Sequence, residues 1–277
     1  MVIAAELRDG RFLREGAKDR TGERAFWGVS ALVFAASATV TVLGCGSMSA
    51  MGMPMPGGWT MSMAWMRMPG QTWPAAAASF VSMWLVMMVA MMLPSLVPML
   101  RCYRNAVDRR GETRLGSLTT LVGAGYFFVW TVVGLAAFGV GVALASIEMR
   151  QPALGRAVPV AAGVVVLVAG AIQLTTWKAN RLACCREANV HGSAMTPASG
   201  TALRHGLRLG LDCGYCCAGL TVVLLVIGVM DLGAMAAVTA AISAERLVPA
   251  GERVARAVGY LVVGEGLLLI ARAAGLA

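Results

Sequence analysis

The sequence has few charged residues for its length. Only 13% of its 277 residues are charged, whereas a soluble domain carries about 25%. Hydrophobic residues make up 58%, and the mean hydropathy is +0.73. Uncharged apolar runs repeatedly approach the ~20 residues that cross a bilayer. The shortage of charge argues against a large soluble domain and predicts an all-α, polytopic helical bundle in a membrane.

Seven apolar runs are candidate transmembrane helices. They lie at about 26–46, 76–100, 116–146, 158–177, 207–230, 232–248 and 257–273. The run at 232–248 is the weakest, because Glu245 and Arg246 shorten its apolar stretch. A charged tail, residues 1–25, precedes the first run. Residues 26–277 are therefore predicted to form a single membrane domain.

One side of the predicted bundle has almost no positive charge. With the N-terminus in the cytoplasm, 19 of the 23 Lys and Arg residues fall on the inner side, which is the positive-inside bias. The net charge of +9 then reports orientation, and no nucleic-acid partner is expected. This orientation places the loop 47–75 outside and the loop 178–208 in the cytoplasm. The basic leader also resembles a signal peptide ending before Cys45, but we expect the first helix to be retained.

Cysteine is nearly absent from the predicted outer side, where only Cys45 lies. A disulfide framework is therefore not expected, and the other thiols remain available for metal or redox chemistry. Cys213, Cys216 and Cys217 follow i, i+3, i+4 spacing, which places them on one helical face. Glycines on an overlapping stripe indicate that this face packs closely against another helix; they are Gly206, Gly210 and Gly214.

Methionine is abundant in two places. The outer loop, which prolines and glycines should keep irregular and mobile, contains Met51, Met53, Met55, Met61, Met63, Met66 and Met68. The second apolar run contains Met83, Met87, Met88, Met91 and Met92. Methionine is an adaptable packing residue, but five within ten residues exceed what packing requires.

Thioethers and thiolates are soft ligands that select Cu(I), and Ag(I) is expected to mimic it. Thioethers need no deprotonation and suit an oxidising exterior, whereas thiolates suit the reducing interior. We therefore expect the outer loop to capture copper. An intramembrane site at matching depth in two helices is expected to hold it through Met87, Met88, Met91, Met92, Cys213, Cys216 and Cys217.

Four further residues are candidate auxiliaries of this site. Asp212 and Glu265 are ionisable groups within apolar runs, where such groups are costly and often functional. His205 and Cys185 can bind soft or borderline metals. Glu245 is expected instead to pair with Arg246 or with solvent near the inner surface.

The motif W-x-x-M-x-x-A-M-M-x-P begins at Trp84, and H-G-L-R followed by C-x-x-C-C begins at His205. Together they resemble the bacterial family catalogued as domain of unknown function 2182, over about residues 27–272. The resemblance implies a predicted metal-binding protein of the bacterial inner membrane, often found with a small soluble partner that could accept the metal. Where the family has two cysteines four apart, this chain has Arg181 and Cys185.

Two other functions remain open from the sequence. Cys213 and Cys216 could form the C-x-x-C pair of a membrane thiol–disulfide carrier, which would leave the methionines unexplained. The chain could also be a structural or assembly subunit of a larger membrane complex. No P-loop, dinucleotide fingerprint or nucleophile–His–acid arrangement is present, and two histidines are few for a copper oxidase, so no enzyme is predicted.

Overall fold

The computed structural model of the chain describes residues 3–48, 53–55, 59–187 and 198–275. Met51 and His191 lie outside these residues, and so do the side chains of Met63 and Cys184.

Eight α-helices make up most of the described chain. They are α1 Ile3–Met48, α2 Trp73–Asp108, α3 Leu115–Arg150, α4 Pro152–Gln173, α5 Thr176–Glu187, α6 Ser199–Ile227, α7 Leu232–Leu247 and α8 Gly251–Ala273. Two short antiparallel strands, β1 Met53–Pro54 and β2 Thr60–Met61, pair Met53 with Met61.

Local sequence signals explain where two of these helices begin. The Thr72 side chain accepts a hydrogen bond from the amide of Ala75 at the start of α2, where Pro74 fits the first turn. The Asp231 carboxylate caps α7 by accepting from the amide of Ala234 at 2.7 Å. Gly228 ends α6 with φ 144°, a backbone conformation that only glycine adopts readily.

Six helices are long and apolar enough to cross a membrane; they are Gly22–Gly46, Trp73–Asp108, Leu115–Arg150, Ala153–Gln173, Ser199–Ile227 and Gly251–Ala273. The predicted seventh run, 232–248, forms α7, whose 16 residues give a length of only about 24 Å. Leu32 and Leu261 are 71% and 73% exposed on the exterior. An exterior with large apolar side chains and six such helices fits a multi-pass membrane protein.

Packing contacts give the relative directions of the helices. The ring of Phe80 in α2 lies 5.3 Å from that of Phe138 in α3, and Trp84 packs closer to the start of α3, against Gly134, so α2 and α3 are antiparallel. Gly163 of α4 faces Ile270 of α8, at its far end.

Similar contacts relate the remaining helices. Gly170 of α4 packs on Val263, so α4 and α8 are antiparallel. Gly206 and Gly210 of α6 pack in register on Val122 and Tyr126 of α3, so these two helices are parallel. Helices α1, α3, α6 and α8 therefore run one way, and α2, α4 and α7 run the other.

Two of the three glycines on the α6 stripe permit a close approach. A Cβ at Gly206 would lie 2.1 Å from the Val122 carbonyl oxygen, and one at Gly210 would lie 2.9 Å from that of Tyr126. Gly214 has nothing within 4 Å of such a Cβ. The tight α3–α6 contact therefore rests on the first two glycines.

The segments expected to be irregular contain more structure than the sequence suggested. Helix α1 begins at Ile3, inside the expected tail, and α5 occupies part of the loop 178–208. In the outer loop, Met61 is buried and the Trp65 ring lies 5.1 Å from that of Phe80. Trp59 Nε1 donates to the carbonyl oxygen of Gly155 at 2.9 Å. The described part of this loop is therefore docked on the ends of α2, α3 and α4.

Candidate functional site

A cluster of sulfur atoms lies halfway along the bundle. Cys213 is the central residue of α6, fourteen residues from each end, and Met92 lies near the middle of α2. Cys213 Sγ is 4.0 Å from Met92 Sδ and 3.7 Å from Cys217 Sγ. All three side chains are buried. Two thiols and a thioether from two helices thus meet in the interior.

The thiol of Cys213 accepts hydrogen bonds from two polar side chains. Tyr126 Oη, on α3, donates at 2.9 Å, and Arg246 Nη1, on α7, donates at 3.0 Å. Donors aimed at a sulfur atom stabilise its negatively charged form. The surroundings of Cys213 therefore suit a thiolate.

Arg246 is buried and holds the cluster to α2. Its Nη1 also donates to Ser95 Oγ at 3.2 Å, and its Nη2 lies 3.3 Å from Met99 Sδ. With Met92, these residues form one stripe of α2 at i, i+3 and i+7. Nε has no partner in the described residues, and none of their ion pairs involves this guanidinium. A buried cation thus faces sulfur atoms and has no carboxylate.

The expectation for Glu245 is wrong. It is 1% exposed, and its Oε2 lies 2.7 Å from Lys178 Nζ. Gln173 Nε2 donates to its other oxygen. Lys178 and Arg246, which the sequence placed among the inner-surface charges, are both buried. The bundle brings these charged residues inside because each finds polar or sulfur partners there.

Cys216 faces α5 instead of Met92. Its thiol contacts those of Cys217 and Cys185, and Cys185 Sγ donates to the carbonyl oxygen of Asp212 at 3.2 Å. Among the residues whose side chains are described, no three His, Cys, Asp or Glu side chains converge on one point as a metal site. The four thiols instead form a row in the order Cys213, Cys217, Cys216, Cys185, which we call the thiol row.

The structure does not bring all predicted residues to this cluster. Met87, Met88 and Met91 are buried in α2, with no printed contact to the thiol row. Of Asp212, only the carbonyl oxygen contacts the row. His205 stacks on the ring of Tyr103 at 5.4 Å. Glu265 is exposed on α8.

The loop methionines differ in exposure. Met53 and Met68 are 37% and 47% exposed, Met55 and Met66 are half-buried, and Met61 is buried. The exposed sulfurs can meet a metal ion arriving from outside the bundle, whereas the Met61 side chain helps to dock the loop.

Sequence reasoning missed several residues of the cluster; they are Ser95, Met99, Tyr126, Lys178 and Arg246. Met99 follows Met92 by seven residues, so its helical face could have been recognised. The two cations border apolar runs, where a charge that enters the bundle looks the same as one that meets water. Their burial depends on packing between helices.

The fold and the cluster together define a class: a helical protein suited to a membrane, with a buried group of soft sulfur donors at mid-depth. The model of a family described as PpoB2, copper chaperone, matches residues 81–269. This range covers 189 of the 277 residues, and the chain belongs to that family. No curated protein and no solved structure matches the chain.

The match bears on the earlier expectations in two ways. It confirms a copper-related family, whereas it does not confirm the family name that the resemblance gave. It begins within α2, after the outer loop, and includes all four helices that contribute to the cluster and α5 as well. Its description is that of a protein that hands copper on, not of a catalyst.

Proposed function

We propose that this protein binds Cu(I) at Cys213, Cys217 and Met92 in the middle of the membrane and delivers it to an acceptor. The observation that carries the proposal is the meeting of two thiols and a thioether beside Arg246, a buried cation without a carboxylate partner. Such donors select soft monovalent ions, so Ag(I) should bind as Cu(I) does.

The distances between the sulfur atoms suit a three-coordinate ion. Metal–sulfur bonds of about 2.3 Å place the three sulfurs of a trigonal site about 4.0 Å apart. Cys213 Sγ lies 3.7 Å from Cys217 Sγ and 4.0 Å from Met92 Sδ. Only small movements of these side chains are needed to bind the ion.

The charges around the cluster favour a monovalent ion. Lys178 and Glu245 neutralise each other, so Arg246 leaves one positive charge in the buried region. Cu(I) held by two thiolates and a thioether carries one negative charge, which balances Arg246. A divalent ion with the same ligands would be neutral and would leave the guanidinium uncompensated, which is costly in a low dielectric.

The wider arrangement supports a route from the outside inwards. We place the N-terminus in the cytoplasm of a bacterium, the bundle in its inner membrane with seven crossings, and α7 as the short one. The loop 47–75 then lies outside, where Met53 and Met68 expose thioethers that capture copper. A small soluble protein in the cytoplasm is the proposed acceptor.

The two rival functions explain less of the site. A thiol–disulfide carrier using Cys213 and Cys216 needs an accessible thiol for exchange, but both are buried and the nearest printed thiol to Cys213 is Cys217. A purely structural subunit gives no reason for Arg246 to face sulfur atoms without a carboxylate.

The test is the copper content of protein purified anaerobically in detergent and loaded with Cu(I). Wild-type protein is expected to retain copper after desalting, and the double variant Cys213→Ser, Cys217→Ser should lose most of it, since both thiolate ligands are gone. Cys102→Ser is the matched control, because Cys102 is exposed and outside the cluster. Equal copper in the double variant and wild type, measured by elemental analysis, would refute the proposed site.

A further inference from the structure

The thiol row extends beyond the proposed copper site and ends at a different helix. Cys213 and Cys217 face α2, whereas Cys216 faces Cys185 on α5. In a helix the amide of Cys216 bonds to the carbonyl of Asp212, and Cys185 Sγ lies 3.2 Å from that same oxygen. The Cys185 thiol is therefore seated against the turn that carries Cys216.

Helix α5 is held in this position by a buried cation. Lys178 Nζ donates to the Cys216 carbonyl oxygen at 2.7 Å and pairs with Glu245 at 2.7 Å. The outer face of α5 carries Trp177 and Arg181, whose guanidinium lies over the Trp177 ring. Cys185 thus lies beneath a helix at the surface of the bundle and outside the six membrane-crossing helices.

A row suits transfer, whereas a cage suits storage. Three ligands converging on one point would hold copper in a single place, but no three His, Cys, Asp or Glu side chains do so in the portion of the chain that the structure describes. Each thiol of the row instead neighbours the next. An ion can move along such a row by exchanging one ligand at a time.

We propose that Cys216 and Cys185 form a second Cu(I) position, an exit site, to which copper passes from Cys213 and Cys217 along the thiol row. The proposal rests on the proposed function, because it needs Cu(I) at the first position. It adds where the ion goes next and which helix, α5, the acceptor approaches.

The transfer is a ligand exchange without redox change. A bond forms between Cu(I) and the incoming Cys216 sulfur, which loses its proton, and the bond to Cys213 then breaks. The departing Cys213 thiolate takes up one proton, so protons balance. A second exchange replaces Cys217 by Cys185 in the same way, and copper remains Cu(I) throughout.

The charges predict which of the two positions binds copper more tightly. Arg246 has no carboxylate partner and favours the anionic complex at Cys213 and Cys217. At the exit site the charge of Lys178 is cancelled by Glu245. The exit site should therefore bind Cu(I) more weakly than the first site, as a position of release requires.

The experiment is an anaerobic Cu(I) titration of the full chain in detergent against a soluble Cu(I) chelator, which also serves as the acceptor. Wild-type protein should bind close to two equivalents, the second more weakly. Cys185→Ser should bind one equivalent with the first affinity unchanged, and it should pass copper to the chelator more slowly, by about tenfold or more. Cys102→Ser should behave as wild type.

A second variant guards against misfolding. Cys216→Ser removes the other ligand of the exit site from α6, and it should also lose the weaker equivalent while keeping the tighter one. Two equivalents retained in Cys185→Ser, or unchanged transfer to the chelator in both variants, would overturn the exit site. If instead wild-type protein and the double variant Cys213→Ser, Cys217→Ser bind copper alike, the proposed function itself fails.

Discussion

Arg246 is the residue whose position most restricts what the cluster can do. It is buried, it donates to Cys213 Sγ at 3.0 Å, and its remaining contacts are a hydroxyl and a thioether. A buried cation normally requires an anion to offset its loss of hydration. Here the available anion is a thiolate, or a copper–thiolate complex, so charge and ligand are linked in one place.

Replacing Arg246 by Gln should weaken Cu(I) binding. The substitution removes the positive charge that balances the anionic complex, and uncoupling a buried charge pair costs about 3 kcal/mol or more, which is about a hundredfold in Kd. Arg246→Lys keeps the charge and should recover much of the affinity. Chelator competition under anaerobic conditions measures both values.

Two comparisons make this prediction specific. Arg253→Gln removes an exposed arginine of α8 and should leave the Kd unchanged. Should Arg246→Lys bind copper as weakly as Arg246→Gln, the role of Arg246 would be packing and not charge.

At the scale of elements, the outer loop is a docked structure with some sulfurs left exposed. Trp59, Met61 and Trp65 attach it to the bundle. Met53 and Met68 remain exposed. A docked loop keeps its free thioethers near one end of α2, whose methionines lead towards Met92.

Replacing Met53, Met66 and Met68 together by Leu should slow capture without altering the buried site. Leucine keeps a similar apolar volume but has no sulfur. At limiting Cu(I) the loading rate should fall by about tenfold or more, because clustered weak ligands raise the local concentration of the ion. The final copper content at saturation should not change.

Stopped-flow transfer from a weak Cu(I) donor measures this rate. Met149→Leu is the matched control, since Met149 is exposed at the end of α3 and outside the loop. Equal loading rates in the triple variant and the control would show that the loop sulfurs do not capture copper.

The elements also show how far sequence reasoning could go. The i, i+3, i+4 spacing of the α6 cysteines predicted one packed face, and all three are buried. It could not show that Cys216 faces α5 while Cys213 faces α2, because adjacent positions on one face differ in direction by an amount that only neighbouring helices make important. The burial of Lys178 and Arg246 depends likewise on contacts between helices distant in sequence.

At the scale of the whole molecule, the directions of the helices decide which side each end occupies. Helices α1, α3, α6 and α8 run opposite to α2, α4 and α7. Helix α7 is about 24 Å long, short of the ~30 Å hydrocarbon core, yet it reverses the chain between α6 and α8. By direction, α7 therefore counts as a crossing, although its length and composition alone do not qualify it.

This arrangement predicts that the two ends of the chain lie on opposite sides of the membrane. A reporter that is active only outside the cytoplasm, fused after Ala273, should be active in bacterial cells. The same reporter fused before α1 or inserted at Gly111, between α2 and α3, should be inactive, and one inserted at Gln151, between α3 and α4, should be active. If the fusion after Ala273 is inactive while the Gln151 insertion is active, α7 does not cross, and the chain has six crossings with both ends in the cytoplasm. The copper site would then be bounded on one side by a helix that enters and leaves from the same face, and the direction proposed for the thiol row would have to be tested anew from α5.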